Sequence, residues 1–192
     1  MKKPYVPKIY RKLYKKNAIG RVLEVLFRFP DKEFSLSDLA VEAGVAKANM
    51  GKILEELDKD GFIEIVKLSK IWRIRANQGN VNFARSKVIY NLNFVYLSGL
   101  IDFLAEYYNN PKAIILFGSF RKGEDVFSSD VDIAVETDMG YGITRLKELS
   151  GFEGEIKRKI QVHLFNRKNV DVNLFNNIAN GIVLYGFLEV KQ

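Results

Sequence analysis

The chain has 192 residues, 47% hydrophobic and 28% charged, which suits a globular protein of one large or two small domains. It has no cysteine, which excludes disulfides, cysteine-ligated zinc and thiol catalysis, and any Ser-His-Asp triad would need its single histidine. An uncharged, apolar-rich run at residues 88–101 is shorter than the roughly 18 residues of a membrane span, so we expect a cytoplasmic protein with no membrane partner.

The net charge of +7 lies in the N-terminal part of the chain. Residues 1–76 carry 17 Lys and Arg against 10 Asp and Glu, whereas residues 77–192 carry 13 of each. This asymmetry favours a nucleic-acid-binding module joined to a neutral one, and a solvated basic surface is the alternative interpretation.

The N-terminal part predicts three helices and a hairpin. Apolar residues at helical spacing predict a helix over residues 17–29 and another that ends at Gly44. A third helix follows over residues 45–60. Residues 62–66 and 71–75 are β-like runs around a short polar tip, which is typical of a hairpin.

This order of elements, with the stretch SLSDLAVEAGVAKANMGKILEELDKDGFIEIV, resembles a winged helix-turn-helix domain over about residues 10–76. The resemblance implies that the third helix enters the major groove of DNA. Its predicted contacts are Lys47, Asn49 and Lys52 on that helix, and Lys67, Lys70, Arg73 and Arg75 on the wing. Further phosphate contacts are expected from Lys8, Arg11, Lys12, Lys15 and Lys16. Winged helices also serve as protein-contact or dimerisation modules, and that alternative stays open.

A polar break at residues 77–80 predicts a boundary between a domain of residues 1–78 and one of residues 79–192. The following segment, residues 81–109, has a helical pattern and would span roughly 40 Å as a single helix. It is rich in aromatic residues. We expect it to pack against the next sheet, with a homodimer interface as the second interpretation.

The next elements bring a glycine-serine turn towards two carboxylates. Residues 113–117, AIILF, are apolar throughout, which predicts a strand buried on both faces. Gly118 permits close backbone approach, and Ser119 begins a short helix or turn whose free N–H groups attract phosphate. Asp130 and Asp132 have i, i+2 spacing, so both carboxylates lie on one face of a second strand.

Residues 116–136, LFGSFRKGEDVFSSDVDIAVE, resemble the signature of the DNA polymerase β-like nucleotidyltransferases, in particular their minimal branch. That signature is Gly-Ser, about ten residues, then Asp-x-Asp, and the resemblance covers about residues 84–187. It implies an α+β chain, in which a winged helix domain precedes a small mixed-sheet domain of the nucleotidyltransferase fold.

The resemblance also implies the chemistry. Gly118 and Ser119 would hold a nucleoside triphosphate, expected to be ATP, with Lys122 and Ser129 in the same binding set. Asp130 and Asp132 would bind two divalent cations, Mg²⁺ or Mn²⁺. The reaction would transfer a nucleoside monophosphate to an acceptor hydroxyl.

One position departs from the family pattern. The family places a third carboxylate on a later strand, here residues 160–166, where the aligned residue is Gln161 or His163, depending on register. Neither is an acid. His163 is a candidate catalytic residue, as a metal ligand or a proton acceptor, although a structural role is the commoner one for a lone histidine.

Three functions therefore stay open at this point. The first is a nucleotidyltransferase that binds DNA. The second is a DNA-binding transcriptional regulator whose second domain senses nucleotide or dimerises without turnover. The third is an antitoxin-like partner of a helical toxin, with the aromatic helix as the contact surface.

Overall fold

The structure is a computed structural model that describes residues 17–68 and 71–190. The described residues divide into two compact units, residues 17–90 and residues 91–190. Each unit has its own buried apolar core, as a chain of this length allows.

The first unit begins with the three helices that the periodicity predicts: α1 (Ala18–Arg28), α2 (Leu36–Ala43) and α3 (Lys47–Lys59). The Ser35 hydroxyl caps α2 by accepting a hydrogen bond from the Asp38 N–H at 3.1 Å. The same helix ends at Gly44, which has a φ of +60°. The turn from α2 to α3 is therefore short and defined.

A two-stranded antiparallel sheet completes this unit. It consists of β1 (Ile63–Leu68) and β2 (Ile71–Ala76), and Phe34 adds an isolated bridge to Ile74. The hairpin and the three helices share one core, whose fully buried members include Val22, Leu26, Leu39, Met50, Leu54 and Ile74. Three helices followed by a packed hairpin confirm the winged helix fold.

The single helix expected over residues 81–109 is wrong. The segment forms α4 (Val81–Leu97) and α5 (Leu100–Tyr107), which are bent by 52°. The break lies at Gly99, which has a φ of +80°, and the Ser98 hydroxyl accepts the Leu100 N–H at 3.3 Å. Helical residues do not adopt a positive φ, so the helix stops there.

No single helix within residues 17–68 and 71–190 has the length and apolar character to cross a membrane. The bent pair of α4 and α5 passes that test only when both helices are counted together.

Helix α4 contributes side chains to both cores. Phe83 and Tyr90 pack on Phe27 in the first unit, with ring centroids 5.1 and 5.5 Å apart, whereas Val95 belongs to the core of the second. The division consequently falls between residues 90 and 91, twelve residues after the boundary that the polar break predicted at 78/79.

The aromatic residues of α5 pack largely inside the second unit. The Phe103 ring contacts those of Tyr107 and Phe152, with centroids 5.7 and 5.6 Å apart. The homodimer and the helical toxin partner stay predictions.

The second unit is built on a five-stranded mixed sheet with the strand order β5-β6-β4-β3-β7. Its strands are β3 (Ala113–Phe117), β4 (Val131–Glu136), β5 (Gly142–Thr144), β6 (Ile160–Phe165) and β7 (Ile182–Gly186). Strands β4 and β6 are parallel, and the other neighbouring pairs are antiparallel.

Helices cover the two faces of this sheet unequally. Side chains of α5 and of α7 (Ser150–Ile156), which follows a 3₁₀ turn at Lys147–Leu149, pack with one face of the sheet. Helix α8 (Val172–Ala179) packs on the other face against Ala134 and Phe165. Asp130, Asp132, Gln161 and His163 are only partly buried. The α+β fold class is confirmed.

Candidate functional site

The glycine-serine turn meets the second aspartate directly. Phe117, the last residue of β3, pairs with Asp132 on β4, and Gly118 follows with a φ of +74° at the start of the short helix α6 (Gly118–Lys122). A Cβ atom on Gly118 would lie 2.5 Å from the Asp132 Oδ2 atom. Glycine is thus required here both by the backbone angle and by the approach of the carboxylate.

The two aspartates face the residues at the family's third-acid position. In the parallel pairing of β4 with β6, Asp132 lies opposite Gln161. The Gln161 Nε2 atom donates a hydrogen bond to Asp130 Oδ2, and His163 Nε2 lies 3.1 Å from Asp132 Oδ1. Both Gln161 and His163 therefore point to the carboxylates, and neither supplies a negative charge.

Two further contacts define the surroundings of these carboxylates. The Arg145 guanidinium, 63% exposed, lies 3.5 Å from Asp130 Oδ2. The ring of His163, 12% exposed, packs at right angles on Phe117 at a centroid distance of 4.9 Å. The imidazole is thereby held in place while its Nε2 atom faces Asp132.

The other predicted nucleotide-binding residues are Ser119, Lys122 and Ser129. Ser119 lies in the first turn of α6, and no side chain of the described residues caps that turn. Lys122 lies in the last turn, exposed, with its ammonium 3.9 Å from Glu124. The Ser129 hydroxyl accepts the Val126 N–H at 3.0 Å and so shapes the loop before Asp130.

A buried polar network holds that loop. Asp125 and Arg158, with side chains 1% and 2% exposed, form an ion pair at 3.2 Å. Asn91 Nδ2 donates to Asp125 Oδ1 at 3.0 Å and to the carbonyl oxygen of Phe120 at 2.8 Å. The network therefore connects α4, α6, the loop and the start of β6, which are the segments around the carboxylates.

An open cleft of about 440 Å³ adjoins Asp130. Its lining includes Phe127, Ser128, Asp130, Ser150, Lys157 and Arg158. A volume of this order accommodates a small ligand or a terminal group of a larger one.

Glu153 lies at the edge of the cleft and fixes the start of β6. Its carboxylate accepts the Ile160 N–H and the Lys159 ammonium, each at 3.0 Å. Burial alone would raise the pKa of Glu153, but these hydrogen bonds and the charge of Lys159 outweigh it, so the pKa lies below its ordinary value.

The residues present fit a divalent cation, although with few ligands. Carboxylate oxygens are the ligands that Mg²⁺ and Mn²⁺ prefer, and the absence of a Cβ atom on Gly118 lets the Asp132 carboxylate lie against the turn. Within residues 17–68 and 71–190, however, no three His, Cys, Asp or Glu side chains lie close enough to hold one ion together. The protein supplies two carboxylates, and a bound triphosphate would have to complete the coordination.

The winged helix places its predicted DNA contacts unevenly. Lys47, Asn49 and Lys52 are all exposed on the first half of α3, and the second half is acidic through Glu55, Glu56 and Asp58. Lys47 and Lys52 thus lie before these acids, and Lys59 lies after them in the last turn of the helix.

Most of the described cations of the wing already have partners. Arg73 is hydrogen-bonded to Glu33, and Arg75 pairs with Glu64 at 2.5 Å. The Lys67 ammonium lies 4.4 Å from the centroid of the Trp72 ring. The predicted contact Lys70, like Lys8, Arg11, Lys12, Lys15 and Lys16, lies outside the described residues.

Arg145, Asp125 and Arg158 were not among the predicted site residues. Arg145 comes fifteen positions after Asp130, and only the packing of the sheet brings the two together. No local pattern in the sequence could have identified it. Asp125 and Arg158 form a buried ion pair although they are 33 positions apart. A separation of that length leaves no spacing pattern in the sequence by which the pair could be predicted.

Similarities to solved structures are weak. The heme sensor PefR of Streptococcus agalactiae, in complex with heme, is 20% identical over 52% of this chain and 81% of its own, with a TM-score of 0.34. MepR, a regulator of the Staphylococcus aureus multidrug efflux pump MepA, is 14% identical over 53% and 75%, with a TM-score of 0.38. NadR in complex with 4-hydroxyphenylacetate is 16% identical over 52% and 68%, with a TM-score of 0.34. All three TM-scores lie below 0.5 and leave the function open.

A comparison with curated proteins finds no match. A family model does match, and the residues it covers include the turn, the two aspartates, Gln161 and His163. The model is described as polymerase beta, nucleotidyltransferase, and it matches residues 99–187.

Proposed function

We propose that residues 91–190 bind a nucleoside triphosphate, with ATP as the expected one, together with Mg²⁺ or Mn²⁺, and transfer its nucleoside monophosphate to an acceptor hydroxyl. The observation that carries this proposal is the contact between Gly118 and Asp132, where a Cβ atom would lie 2.5 Å from the carboxylate. It joins the two halves of the Gly-Ser, Asp-x-Asp signature of the minimal nucleotidyltransferases in one site.

The chain's own residues would have distinct roles. Asp130 and Asp132 would hold the metal, which, when bound, neutralises charge on the α-phosphate and on the leaving pyrophosphate. Gly118 and Ser119 would let the phosphates approach the backbone at the start of α6, with Lys122 and Ser129 as the further predicted contacts. The acceptor would enter through the cleft beside Asp130.

The transfer itself exchanges one P–O bond for another. The acceptor oxygen bonds to the α-phosphorus while the bond to the bridging oxygen breaks, and pyrophosphate leaves with the electron pair. His163 would take the hydroxyl proton at Nδ1, because its Nε2 atom lies 3.1 Å from the Asp132 carboxylate and donates to it.

The experiment is incubation with α-labelled ATP and Mg²⁺ or Mn²⁺, with the protein itself and a cell extract as acceptors. Labelled product is expected, and Asp130→Asn or Asp132→Asn should abolish it. Asp138→Asn, an exposed aspartate of the same unit, is the matched control and should retain the labelling. Equal labelling by all three variants would refute the assignment.

A second function is favoured by a specific observation. Gln161, one of the two residues predicted for the position of the third acid, is neutral and donates its hydrogen bond to Asp130. If turnover requires a third acid, this site binds nucleotide without reaction, as a sensor in a transcriptional regulator. Metal-dependent ATP binding by calorimetry, with no labelled product, would support the sensor and exclude the transferase.

We also propose that residues 17–90 bind DNA through α3, in the cytoplasm, where DNA and nucleotide are both available. The proposal is supported by the exposed Lys47, Asn49 and Lys52 and by the excess of positive charge before residue 77. A salt-dependent mobility shift with duplex DNA tests it. Replacement of Lys47 and Lys52 by alanine should weaken the shift, and absence of binding at low salt would leave a protein-contact module.

A further inference from the structure

In the described hydrogen bonds and ion pairs, Asp130 and Asp132 each engage one carboxylate oxygen. Asp130 Oδ2 accepts from Gln161 and lies 3.5 Å from the Arg145 guanidinium. Asp132 Oδ1 lies 3.1 Å from His163 Nε2. The described contacts leave Asp130 Oδ1 and Asp132 Oδ2, one oxygen from each carboxylate, for a cation.

The charge around these oxygens also differs from that of a two-metal site. Two-metal sites need enough carboxylate to offset two divalent ions while each ion keeps its ligands. Here Gln161 is neutral and consumes an acceptor on Asp130 instead of adding one. Arg145 already contributes one positive charge at the same oxygen.

We propose that this site binds a single divalent cation with the nucleoside triphosphate, and that Arg145, aligned by Gln161 on Asp130, provides the positive charge that a second ion supplies elsewhere. A guanidinium is always charged and binds phosphate oxygens, so it can act on the triphosphate without metal ligands. This inference rests on nucleotide binding at the same site.

The test counts the metal ions. Mn²⁺ is titrated into the full chain with a saturating non-hydrolysable ATP analogue, and free Mn²⁺ is followed by electron paramagnetic resonance. One bound Mn²⁺ per chain is expected. Two bound ions would overturn the proposal while leaving nucleotide binding intact. If neither the analogue nor Mn²⁺ binds, the proposed function itself fails.

Substitutions at Gln161 give the sharper test. In Gln161→Glu, the added carboxylate no longer donates to Asp130, and the count should rise to two. In Gln161→Met, which removes the donor without adding charge, the count should stay at one. Equal counts in these two variants would overturn the proposal, and circular dichroism establishes that both are folded.

Arg145 should act on the nucleotide and not on the metal count. Arg145→Met is expected to weaken analogue binding about tenfold, which corresponds to the loss of one charged contact, while one Mn²⁺ remains bound. Arg145→Lys should restore part of the affinity because it retains the charge. Unchanged affinity in Arg145→Met would contradict the role assigned to this side chain.

Discussion

Gly118 has a backbone angle that favours glycine, and the Asp132 carboxylate lies where its Cβ atom would be. With a φ of +74° and Asp132 Oδ2 in the space of a missing Cβ, it tolerates no side chain. We predict that Gly118→Ala displaces the Asp132 carboxylate, abolishes metal-dependent nucleotide binding, and costs about 1–2 kcal/mol of stability from the left-handed backbone alone. Calorimetry with ATP and Mg²⁺ and chemical unfolding measure the two effects.

Gly142 provides the matched control in the same unit. Its φ is +103°, and among the described residues no atom beyond its two chain neighbours lies within 4 Å of the position of its Cβ atom. Gly142→Ala should therefore strain the backbone while nucleotide binding is retained. Equal loss of binding in both variants would show that general destabilisation, and not the contact with Asp132, is responsible.

The sequence predicted the principal residues of the site but not their partners. Gly118, Asp130 and Asp132 follow from a local pattern, and the register ambiguity between Gln161 and His163 proves immaterial, since both contact a carboxylate. Arg145 could not be predicted because its contact depends on how β5 and the loop after it lie beside β6, which no short-range spacing encodes.

At the scale of elements, the buried network of Asn91, Asp125 and Arg158 holds the loop that leads to Asp130. We predict that Asp125→Ala costs about 3–5 kcal/mol, because it removes one member of a buried ion pair and leaves the Arg158 guanidinium without the Asp125 carboxylate. The double variant Asp125→Leu with Arg158→Met should recover much of that loss. Chemical unfolding followed by circular dichroism measures both.

Glu124→Ala removes one partner of an exposed pair in the same loop and serves as the control. It should change stability by less than about 1 kcal/mol. If Asp125→Ala costs no more than this control, the buried pair does not stabilise the loop.

The α7–β6 connection should make stability depend on pH through Glu153. The pKa of this carboxyl is lower in the folded chain, so its contribution is complete above the ordinary value of 4.5 and is lost as the pH falls through the folded pKa. We predict that Glu153→Gln costs about 1–3 kcal/mol at pH 7. Urea unfolding across this pH range should show the difference shrinking below about pH 4.5, and a constant difference would contradict the assignment.

The elements themselves were largely predictable. The periodicity gave α1, α2 and α3 and the hairpin, and AIILF gave β3 at its observed bounds. The break between α4 and α5 was missed, because a glycine within a helical pattern often continues the helix. Here Gly99 adopts a positive φ, and Val95 before it and Leu100 after it both pack in the core of the second unit.

At the scale of the whole molecule, the positive charge before residue 77 is partly neutralised by its own glutamates. Arg73 and Arg75 are held by Glu33 and Glu64 on the wing. We predict that Glu33→Gln with Glu64→Gln increases affinity for duplex DNA and steepens its salt dependence by about 0.9 in log-log slope for each new phosphate contact. Mobility shifts over a salt series measure this.

The comparison for this prediction is the variant with Lys47→Ala and Lys52→Ala, which should flatten the same salt dependence. If the glutamate variant binds as the unmodified chain does, the two arginines take no part in DNA binding.

Helix α4 has a consequence for how the chain can be divided. A fragment that stops at the polar break near residue 80 would lose Phe83 and Tyr90 and expose Phe27, whereas a fragment that starts there would carry those aromatic rings uncovered. Each unit therefore needs part of helix α4 for its own core. A gene rearrangement that joined either unit to another protein would have to replace or duplicate α4. We therefore expect the two units to be inherited together.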